Sequence, residues 1–498
     1  MKKFFLFCFY LCSFSIYAQI LTPGTGVRLT FHDIALYSTD AVTNPQTGNY
    51  TIHQNLTISS GDTLILDNPT LSIHVADSVS IIIQGCIICE ERDNQLVISG
   101  ENNNNPASLF ELRFENAVSS MLSNLLFEYA QNIVINESSV CFHNCEFRYF
   151  REPVIKYMNC NPIIEQCYFH DNQSAAINSA ANVTGAPIIR NNQFYHNVLG
   201  NANQPQLNLG PGTATDTLII ENNHIEGCVS MSGGIAIANL MNISETKAIV
   251  RHNLVENNRY GYTQQGTNIS SLIEDNIFIN NNLEENPMNG GSGISIYGYD
   301  TTCTAKIRHN LITGNLWGIT AIYYHHIDMG TISDFGYNCL YDNGNNGEMY
   351  ALYNNANSPI TAVGNYWGDD SEAFAESVIY HQTDQTNLGM VGYLPIAAST
   401  TEQLPCYASD STQNINNELI NKSEITIFPN PCADLCLIKS SQPIMKIQLF
   451  NLLGQCIITQ EGGFQTNLSL SVKSFPSGMY LLEVQTIQGT ITKKLQIR

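Results

Sequence analysis

The most regular feature of the chain is a hydrophobic pattern that recurs along its middle. Each copy has Asn or Cys, a large apolar residue two positions later, and a second Asn or Cys three positions after that. The apolar positions are 22 to 34 residues apart. A fixed local pattern at variable spacing predicts a solenoid whose coils carry loops of different length. Full copies begin at Cys167, Asn192, Asn223, Asn253, Asn276, Asn310 and Asn338, and a weaker copy begins at Cys145.

The elements of each coil are predicted to be short strands. Apolar pairs at 163–164, 188–189, 219–220, 249–250 and 272–273 precede the copies, and other apolar runs follow Gly234, Gly293 and Gly318. Such runs are too short for helices, so an all-β parallel β-helix accounts for them. Its equivalent positions stack about 4.8 Å apart. Stacked Asn side chains would form an amide ladder, and Asn tolerates the left-handed geometry of a tight turn.

A charge pattern accompanies the repeat. The residue two positions before the first Asn or Cys alternates in sign over six copies. If these positions stack, every Glu lies beside an Arg, and each pair contributes from a few tenths to about 1 kcal/mol. We therefore expect an outward-facing salt-bridge ladder. Its members are Glu165, Arg190, Glu221, Arg251, Glu274 and Arg308.

The repeat resembles the right-handed parallel β-helix family, the architecture of pectate-lyase-like proteins, over about residues 50–395. GNYTIHQNLTISSGDTLIL at 48–66 is similar to an opening coil, and LLFEYAQNIVI at 125–135 is similar to mid-helix strands. GNYWGDD at 364–370 resembles the Trp-Gly turn that closes the last coil, and LGMVGYLPIA at 388–397 resembles the exit strand. We expect an entry segment at 19–49 and a right-handed β-helix at 50–397. Function varies widely within this architecture.

After Pro395 the composition changes. Residues 398–423, rich in Ser, Thr, Asn and Gln, predict a linker. Residues 424–498 alternate apolar and polar positions, as a small antiparallel β-sandwich does. They resemble the type IX secretion C-terminal sorting domain, although Cys432, Cys436 and Asn451 depart from its pattern. The matching residues are Pro429, Asn430, Pro431, Gly454, Gly478, Tyr480, Lys493 and Lys494.

That resemblance implies recognition by the type IX machinery, passage across the outer membrane and, commonly, removal of the domain with attachment to surface lipopolysaccharide. The leader agrees with export. Lys2 and Lys3 precede an apolar run that is too short to span a bilayer, and Ala18 fits a cleavage site, so residues 1–18 predict a signal peptide. No later stretch is long and apolar enough for a membrane helix.

Charge narrows the choice of partners. The net charge is −22, and residues 20–410 contain 12 Lys and Arg against 38 Asp and Glu. Residues 411–498 contain 7 against 5. An acidic body repels phosphate backbones, so we expect no nucleic-acid partner. It also repels uronate polymers such as pectate or alginate unless a cation bridges them.

Thirteen cysteines remain after the leader, and an odd number leaves at least one unpaired. Disulfides are permitted outside the cytoplasm. Several of these cysteines, however, occupy repeat positions that hold Asn elsewhere. We favour buried free thiols at those positions over a disulfide framework, because free Cys behaves as a small buried hydrophobe.

An enzyme of this architecture would act on a polysaccharide laid along the coils. A lyase needs a base and a group, or Ca²⁺, that neutralises the sugar carboxylate. Lys306 also has a structural interpretation as a solvated residue beside the charge ladder. His325 and His326 are adjacent, so on a strand they face opposite sides and make poor joint metal ligands. The catalytic candidates are Lys247, Lys306 and His325, and the binding candidates are Arg259, Tyr323, Tyr324 and His326.

A hydrolase needs two carboxylates several ångströms apart. Asp369 and Asp370 are the candidates, although Asp often fills such a turn, and Trp367 beside them is expected to cap the core. The motifs of polygalacturonases and the Ca²⁺-binding aspartates of pectate lyases are not found as sets. We predict no metal and no cofactor, with Ca²⁺ entering only if the protein is a lyase.

Two functions remain open. We favour a non-catalytic surface protein that binds glycans or other macromolecules along its coils. The alternative is a polysaccharide lyase or glycoside hydrolase. A face with converging cations, aromatic rings and carboxylates would favour the enzyme. A face carrying only the Asn and Glu/Arg ladders would argue against catalysis.

Overall fold

The computed structural model describes residues 19–46, 48–67, 71–89, 95–100, 109–407, 425–432, 435–451, 456–473, 475–486 and 489–498. Within these residues three long sheets form the body, and each coil visits sheets 1, 2 and 3 in turn. Neighbouring strands are parallel, except that the first two strands of sheet 3 pair antiparallel. The predicted parallel β-helix is therefore confirmed.

The strands of each sheet follow in chain order. Sheet 1 contains Gln19–Leu21, Asn55–Ile58, Ser80–Ile83, Phe110–Glu115, Ala130–Asn136, Ile155–Met158, Ile177–Ser179, Gln204–Leu209, Ser232–Asn239, Tyr262–Gly266, Ser292–Gly298, Trp317–Tyr323, Leu352–Asn355 and Ile379–Tyr380. Sheet 2 contains Arg28–Leu29, Thr63–Ile65, Cys86–Cys89, Ser120–Ser123, Val140–His143, Ile163–Glu165, Ile188–Arg190, Thr217–Glu221, Thr246–Arg251, Ile269–Glu274, Cys303–Arg308, His326–Asp328, Ile360–Thr361 and Val391–Gly392. Sheet 3 contains Val42–Gln46, Asn49–Ile52, Ser72–Val75, Leu96–Gly100, Leu125–Glu128, Glu146–Arg148, Tyr168–His170, Gln193–Tyr195, His224–Glu226, Leu254–Glu256, Ile277–Ile279, Leu311–Thr313 and Cys339–Tyr341.

The interior is a continuous column of apolar side chains. Alternate residues of each strand point inward, and the apolar anchor of the repeat lies at the centre of each sheet 3 strand. Phe169 stacks on Phe147 with ring centroids 4.5 Å apart and on Phe194 at 5.0 Å. The column continues through branched aliphatic residues such as Ile225 and Val255.

Both ends of this column are covered. The helix Phe31–Tyr37 begins with a capping box between Thr30 and Asp33 and buries its apolar side. The entry segment predicted at 19–49 also adds strands to all three sheets. At the other end the helix Glu372–Val378 buries Ala375 and Val378, and Trp367 is fully buried there, as expected of a capping residue. A small hairpin pairs Gly344–Asn345 with Glu348–Met349.

The predicted asparagine ladder forms at the turn between sheets 2 and 3. The side-chain amide of Asn192 donates to Asn223, and Asn223 donates to Asn253, each across 3.0 Å. The same contact repeats down to Asn365. One detail of the prediction is wrong: the left-handed residue is the one before each ladder Asn, for example Asn222 or His252. The ladder Asn instead keeps ordinary backbone geometry and uses its side chain for stacking.

A second ladder forms where sheet 3 leads into sheet 1. It runs through Asn258, Asn281, Asn315 and Asn343, and separately joins Asn172 to Asn197. Cys228 occupies the repeat position between Asn197 and Asn258. There the fully buried amide of Gln206 accepts from Asn197 at 2.9 Å and donates to Asn258 at 3.1 Å. A side chain from sheet 1 thus fills the gap that the cysteine leaves.

The predicted charge ladder is also in register on sheet 2. Glu165, Arg190, Glu221 and Arg251 are consecutive partners across the strands. Arg190 lies 2.6 Å from Glu165, and Arg251 lies 2.7 Å from Glu221. Arg308, at the end of the series, is buried and instead pairs with Asp328 and Asp334.

The cysteines at the repeat positions are free, as predicted, and one disulfide forms elsewhere, where no prediction was made. Cys145 and Cys167 are free and buried, and Cys228 is free and half-buried. Cys339 forms a disulfide with Cys406. Cys339 lies one residue after a ladder Asn, on the outer side of sheet 3, where its thiol can meet the segment that follows the last coil.

The C-terminal strands form a separate antiparallel unit with its own apolar core. All five are hydrogen-bonded in one continuous set, and the register of the second strand shifts after Lys439 and again after Ile444. Such shifts let one strand serve two layers of a small β-sandwich. The strands are Ile425–Phe428, Leu435–Phe450, Cys456–Ser471, Gly478–Thr486 and Gly489–Ile497. The predicted signal peptide, linker residues 408–423 and Gly454 lie outside the described residues.

Candidate functional site

The outer face of sheet 1 changes character along the body. One column of in-register positions includes the charged residues Arg113 and Lys156, then passes through amides and small side chains, and ends in tyrosines. Its members from Lys156 onward are Lys156, Asn178, Asn208, Ala236, Thr263, Ser295, Thr320, Tyr353 and Tyr380. In the last coils this floor is therefore uncharged and rich in hydroxyl groups.

Aromatic side chains line both edges of that floor. On the edge next to sheet 3, Trp317 lies 4.7 Å from Tyr350 and 5.0 Å from Tyr353 between ring centroids. Tyr353 in turn stacks on Tyr380 at 4.8 Å. Trp317 is held by a hydrogen bond from its indole nitrogen to the carbonyl of Pro287 at 2.9 Å.

The opposite edge is more open. Tyr297 packs edge-on against Tyr323 at 5.1 Å and against Tyr299 at 5.7 Å. A hydrogen bond with Tyr323 raises the pKa of Tyr297. Tyr323 is 56% exposed and Tyr299 is 42% exposed, and the Tyr299 hydroxyl accepts a hydrogen bond from Gln265 at 3.0 Å. We call the rings of both edges, together with Thr263, Ser295 and Thr320, the aromatic face.

The predicted lysine bases are ion-paired. Lys306 Nζ is 2.8 Å from Asp334 Oδ2, and Arg308 Nη2 is 3.0 Å from the same oxygen. Hydrogen bonds from these two cations lower the pKa of Asp334 to about 2. Lys247 Nζ is 3.2 Å from Glu245. Both lysines lie on sheet 2 and not on the aromatic face, and the ion pair of Lys306 matches its structural interpretation.

Arg259 ties together loops between sheets 3 and 1. Its guanidinium donates to the side chain of Asn203 on one coil and to the carbonyl of Asn289 on another. Among the predicted binding residues, Tyr323 belongs to the aromatic face, and Tyr324, also exposed, directly follows its strand.

His325 and His326 point to opposite sides, as predicted. His325 is buried in the interior, and burial lowers its pKa to about 4, so the imidazole is neutral at ordinary pH. His326 is exposed and opens a strand of sheet 2. Because His325 faces the core, it is out of reach of a polymer on the surface.

The two aspartates after the Trp-Gly turn hold local structure. Asp369 accepts a hydrogen bond from the backbone N–H of Ser371 at 2.8 Å, just before the last helix of the body. Asp370 accepts from the backbone and the hydroxyl of Ser399, at 2.6 and 2.9 Å. Both contacts fit the structural interpretation of this turn.

A second group, which the sequence analysis missed, lies on the outer face of sheet 3. His170 lies between Glu146 at 3.0 Å and Asp171 at 2.8 Å, and these hydrogen bonds outweigh its burial and raise its pKa. Arg148 pairs with Glu146 at 3.2 Å, and Tyr168 stacks on His170 with ring centroids 4.2 Å apart. A signal was available, because these residues flank the apolar anchors Phe147 and Phe169 of the repeat.

Farther along the same face, three potential metal ligands meet. His224, Glu226 and Glu256 offer one nitrogen and two oxygens that all lie within 4.8 Å of one another. Among the residues that the structure describes, these three form the one group of His, Cys, Asp or Glu side chains close enough together to hold a metal ion.

Comparison with known families agrees with this geometry. Residues 112–271 match the family model of the right-handed β-helix region, and residues 213–372 match a model described as a protein of unknown function (DUF1565). Residues 426–498 match the secretion system C-terminal sorting domain. The chain joins a right-handed β-helix to a type IX sorting domain. Among proteins of curated function, none matches it.

The sorting domain uses its motif residues to close its fold. Asn430, between Pro429 and Pro431, donates to the carbonyl of Lys494 at 2.8 Å and accepts from the backbone of Gln496 at 2.9 Å. Other motif residues lie in the last two strands, where Gly478 is paired with Ile497 and Lys493 is paired with Leu482. The Tyr480 hydroxyl donates a hydrogen bond to the carbonyl of Pro476. The domain directs export to the cell surface or the extracellular space by way of the secretion machinery. The described residues contain no helix suited to crossing a membrane.

Three solved structures of low sequence identity are similar to this chain at TM-scores below 0.5. The periplasmic alginate epimerase AlgG is 12% identical with a TM-score of 0.48, over 74% of this chain and 83% of that one. A mannuronic acid specific family 6 polysaccharide lyase from human gut microbiota is 13% identical with a TM-score of 0.35, over 76% and 88%. A tailspike protein of E. coli bacteriophage HK620 is 11% identical with a TM-score of 0.32, over 90% and 86%. These likenesses concern the fold alone.

Proposed function

We propose that the protein is a cell-surface or secreted binder of neutral polysaccharide, which it holds along the aromatic face. The observation that carries this proposal is the set of exposed tyrosines, including Tyr299 and Tyr323, beside a floor of hydroxyl side chains. Aromatic rings offer apolar surface to the faces of sugar rings, and a fixed ring loses little entropy on binding. The half-buried hydroxyl groups of Thr263 and Ser295 can exchange hydrogen bonds with sugar hydroxyls, whereas Thr320 is buried and bonded to Ser292.

The charge distribution supports a neutral polymer. In the last coils, the outward positions of the described sheet 1 strands carry no Asp, Glu, Lys, Arg or His. Examples are Thr263, Gln265, Ser295 and Thr320. The surrounding body is acidic, with 12 Lys and Arg against 38 Asp and Glu over residues 20–410. The negative charge of the body would repel a uronate chain, and the aromatic face carries no cation that could pair with the uronate carboxylates. A neutral chain would not be repelled.

The proposal is tested by affinity electrophoresis against neutral glucans, mannans and xylans and against pectate and alginate. We expect retardation by at least one neutral polymer, and a loss of at least tenfold in affinity when Tyr299 and Tyr323 are both changed to Ala. Tyr149→Ala is the matched control, because Tyr149 is an exposed tyrosine that stacks on Tyr129 away from this face. Retardation by uronates alone, or equal losses in both variants, would contradict the proposal.

A polysaccharide lyase or hydrolase is the second candidate, and the sheet 3 group around His170 favours it. Arg148, His170, Tyr168 and Glu146 bring a cation, an acid and a carboxylate together, which is the combination that such chemistry needs. The raised pKa of His170 favours its protonated form, which suits a proton donor. In the same polymer panel, with and without Ca²⁺, new reducing ends or unsaturated products that disappear in His170→Ala would support an enzyme.

A further inference from the structure

Sheet 3 brings His224, Glu226 and Glu256 together by register and not by loop geometry. His224 and Glu226 are two residues apart on one strand, so their side chains leave the same face of the sheet. Glu256 is the direct partner of Glu226 on the next coil. All three side chains are partly exposed, so an ion can reach them from solvent. Hydrogen-bonded strands therefore hold the three groups in place before any ligand arrives.

We infer that these three side chains form a binding site for a divalent transition metal ion of the Zn²⁺ type. His224 Nε2 is 2.7 Å from Glu256 Oε1 and 3.9 Å from Glu226 Oε2. A tetrahedral ion with ligands at about 2.0–2.1 Å separates each pair of ligand atoms by about 3.3–3.4 Å. These two distances lie on either side of that value, and the ligand oxygens of Glu226 and Glu256 lie within 4.8 Å of each other, so side-chain rotations that move these atoms by about 1 Å would bring the three atoms to tetrahedral spacing.

The local charges point to a cation. In the part of the chain that the structure describes, His224 is the basic partner within ion-pairing distance of both Glu226 and Glu256. The glutamates of sheet 2 differ, because Glu165 and Glu221 each face an arginine. Like charges directly opposite each other on neighbouring strands repel. A divalent ion between Glu226 and Glu256 converts that repulsion into attraction on both sides.

The ligand types select among ions. Imidazole together with carboxylate suits Zn²⁺ and its neighbours in the first transition row, whereas Ca²⁺ takes six to eight oxygen ligands. Three side chains leave one tetrahedral position for water. The site lies on sheet 3, away from the aromatic face of sheet 1, and so it does not depend on the proposed polysaccharide binding.

The position of the site gives the ion a structural use. Glu226 is two residues before Cys228, the one position where the second asparagine ladder lacks its Asn and Gln206 replaces it. A metal that joins Glu226 to Glu256 would link the coil of Cys228 to the next coil, that of Asn258, from outside. We therefore expect bound metal to stabilise the body at the coil where the internal ladder is irregular.

The test is calorimetric titration of the full protein with ZnCl₂ and, separately, CaCl₂, after its accessible thiols have been alkylated. We expect one Zn²⁺ per chain, bound at least tenfold more tightly than Ca²⁺. His224→Ala and Glu256→Gln should each weaken Zn²⁺ binding at least tenfold. His143→Ala is the matched control, since His143 also lies 3.2 Å from a glutamate, Glu165, which is neutralised by Arg190.

A second measurement separates binding from folding. Zn²⁺ should raise the thermal midpoint of the native protein and of His143→Ala by the same amount, and it should raise that of Glu256→Gln by less, because the shift grows with the affinity of the ion for the folded state. Zn²⁺ affinity that is unaltered in both site variants, equal losses in the His143 control, or Ca²⁺ binding as tight as Zn²⁺ binding would overturn the inference.

Discussion

At the scale of single residues, the body depends on amides that have no access to water. Asn253 is an example: its carbonyl oxygen accepts from both the backbone and the side chain of Asn223 at 3.0 Å, and its NH₂ group donates to Ile220 and Asn276. Such a side chain satisfies polar groups on the coil before it and the coil after it. Ladder residues therefore hold the turns at a fixed spacing.

We predict that Asn253→Ala lowers the free energy of unfolding by about 1–3 kcal/mol, because it leaves buried amide groups without partners. Urea denaturation followed by circular dichroism measures the change. Asn208→Ala is the control: Asn208 makes one hydrogen bond, to Asn178 on the outer face of sheet 1, and its loss should stay within about 0.5 kcal/mol. Equal urea midpoints for the two variants would show that the buried hydrogen bonds of the ladder do not account for the predicted loss in free energy of unfolding.

At the scale of elements, the sequence predicted the features that recur at the same position in each coil. It missed the features that depend on loops of variable length. From the strand Ile163–Glu165 to the strand Leu311–Thr313, the turn between sheets 2 and 3 has constant length, so Asn192, Asn223 and Asn253 stand out at a fixed local spacing, and the fold follows from them. The loops between sheets 1 and 2 and between sheets 3 and 1 vary in length. Tyr323 and Tyr353 therefore share one face although no regular interval in the chain relates them.

The site groups on sheet 3 were missed for a different reason. His170, His224 and Glu256 occupy fixed positions beside the apolar anchors, so their location was predictable once the register was known. The distances between their side chains depend on rotamers and on which charged neighbours pair with them. Neither can be inferred from the spacing of the residues in the sequence. Lys306 shows the same limit, because Asp334, which neutralises it, comes from a later loop.

The glycines that open the sheet 1 strands provide an element-scale prediction. A Cβ at Gly261 would lie 2.5 Å from the carbonyl oxygen of Gly293 and 2.7 Å from the ring of Phe278. Gly261→Ala should therefore lower the free energy of unfolding by about 1–3 kcal/mol through overpacking. Gly392→Ala is the control, since its Cβ would meet one atom, at 3.9 Å. Comparable urea midpoints in the two variants would contradict a close approach of the coils at this turn.

At the scale of the whole molecule, the chain contains two units with separate duties. The apolar core of the body and that of the sorting domain share no residues. Their charges differ as well, because the acidic excess belongs to residues 20–410 and not to residues 411–498. Cys339 and Cys406 close the end of the body by a disulfide before the sorting domain begins. Each unit thus has what it needs to fold without the other.

This independence gives a prediction about export. Deletion of residues 424–498 should leave a folded body that stays in the periplasm, because the core, the ladders and the disulfide of the body all lie before the deletion. Cell fractionation and protease treatment of intact cells measure the location, and circular dichroism of the purified body measures the fold. The full chain with Tyr149→Ala is the control, since that change leaves the sorting domain intact and should reach the surface. A truncated body that still appears outside the cell would show that the type IX domain is not the export signal, and an unfolded one would show that the two cores are not independent.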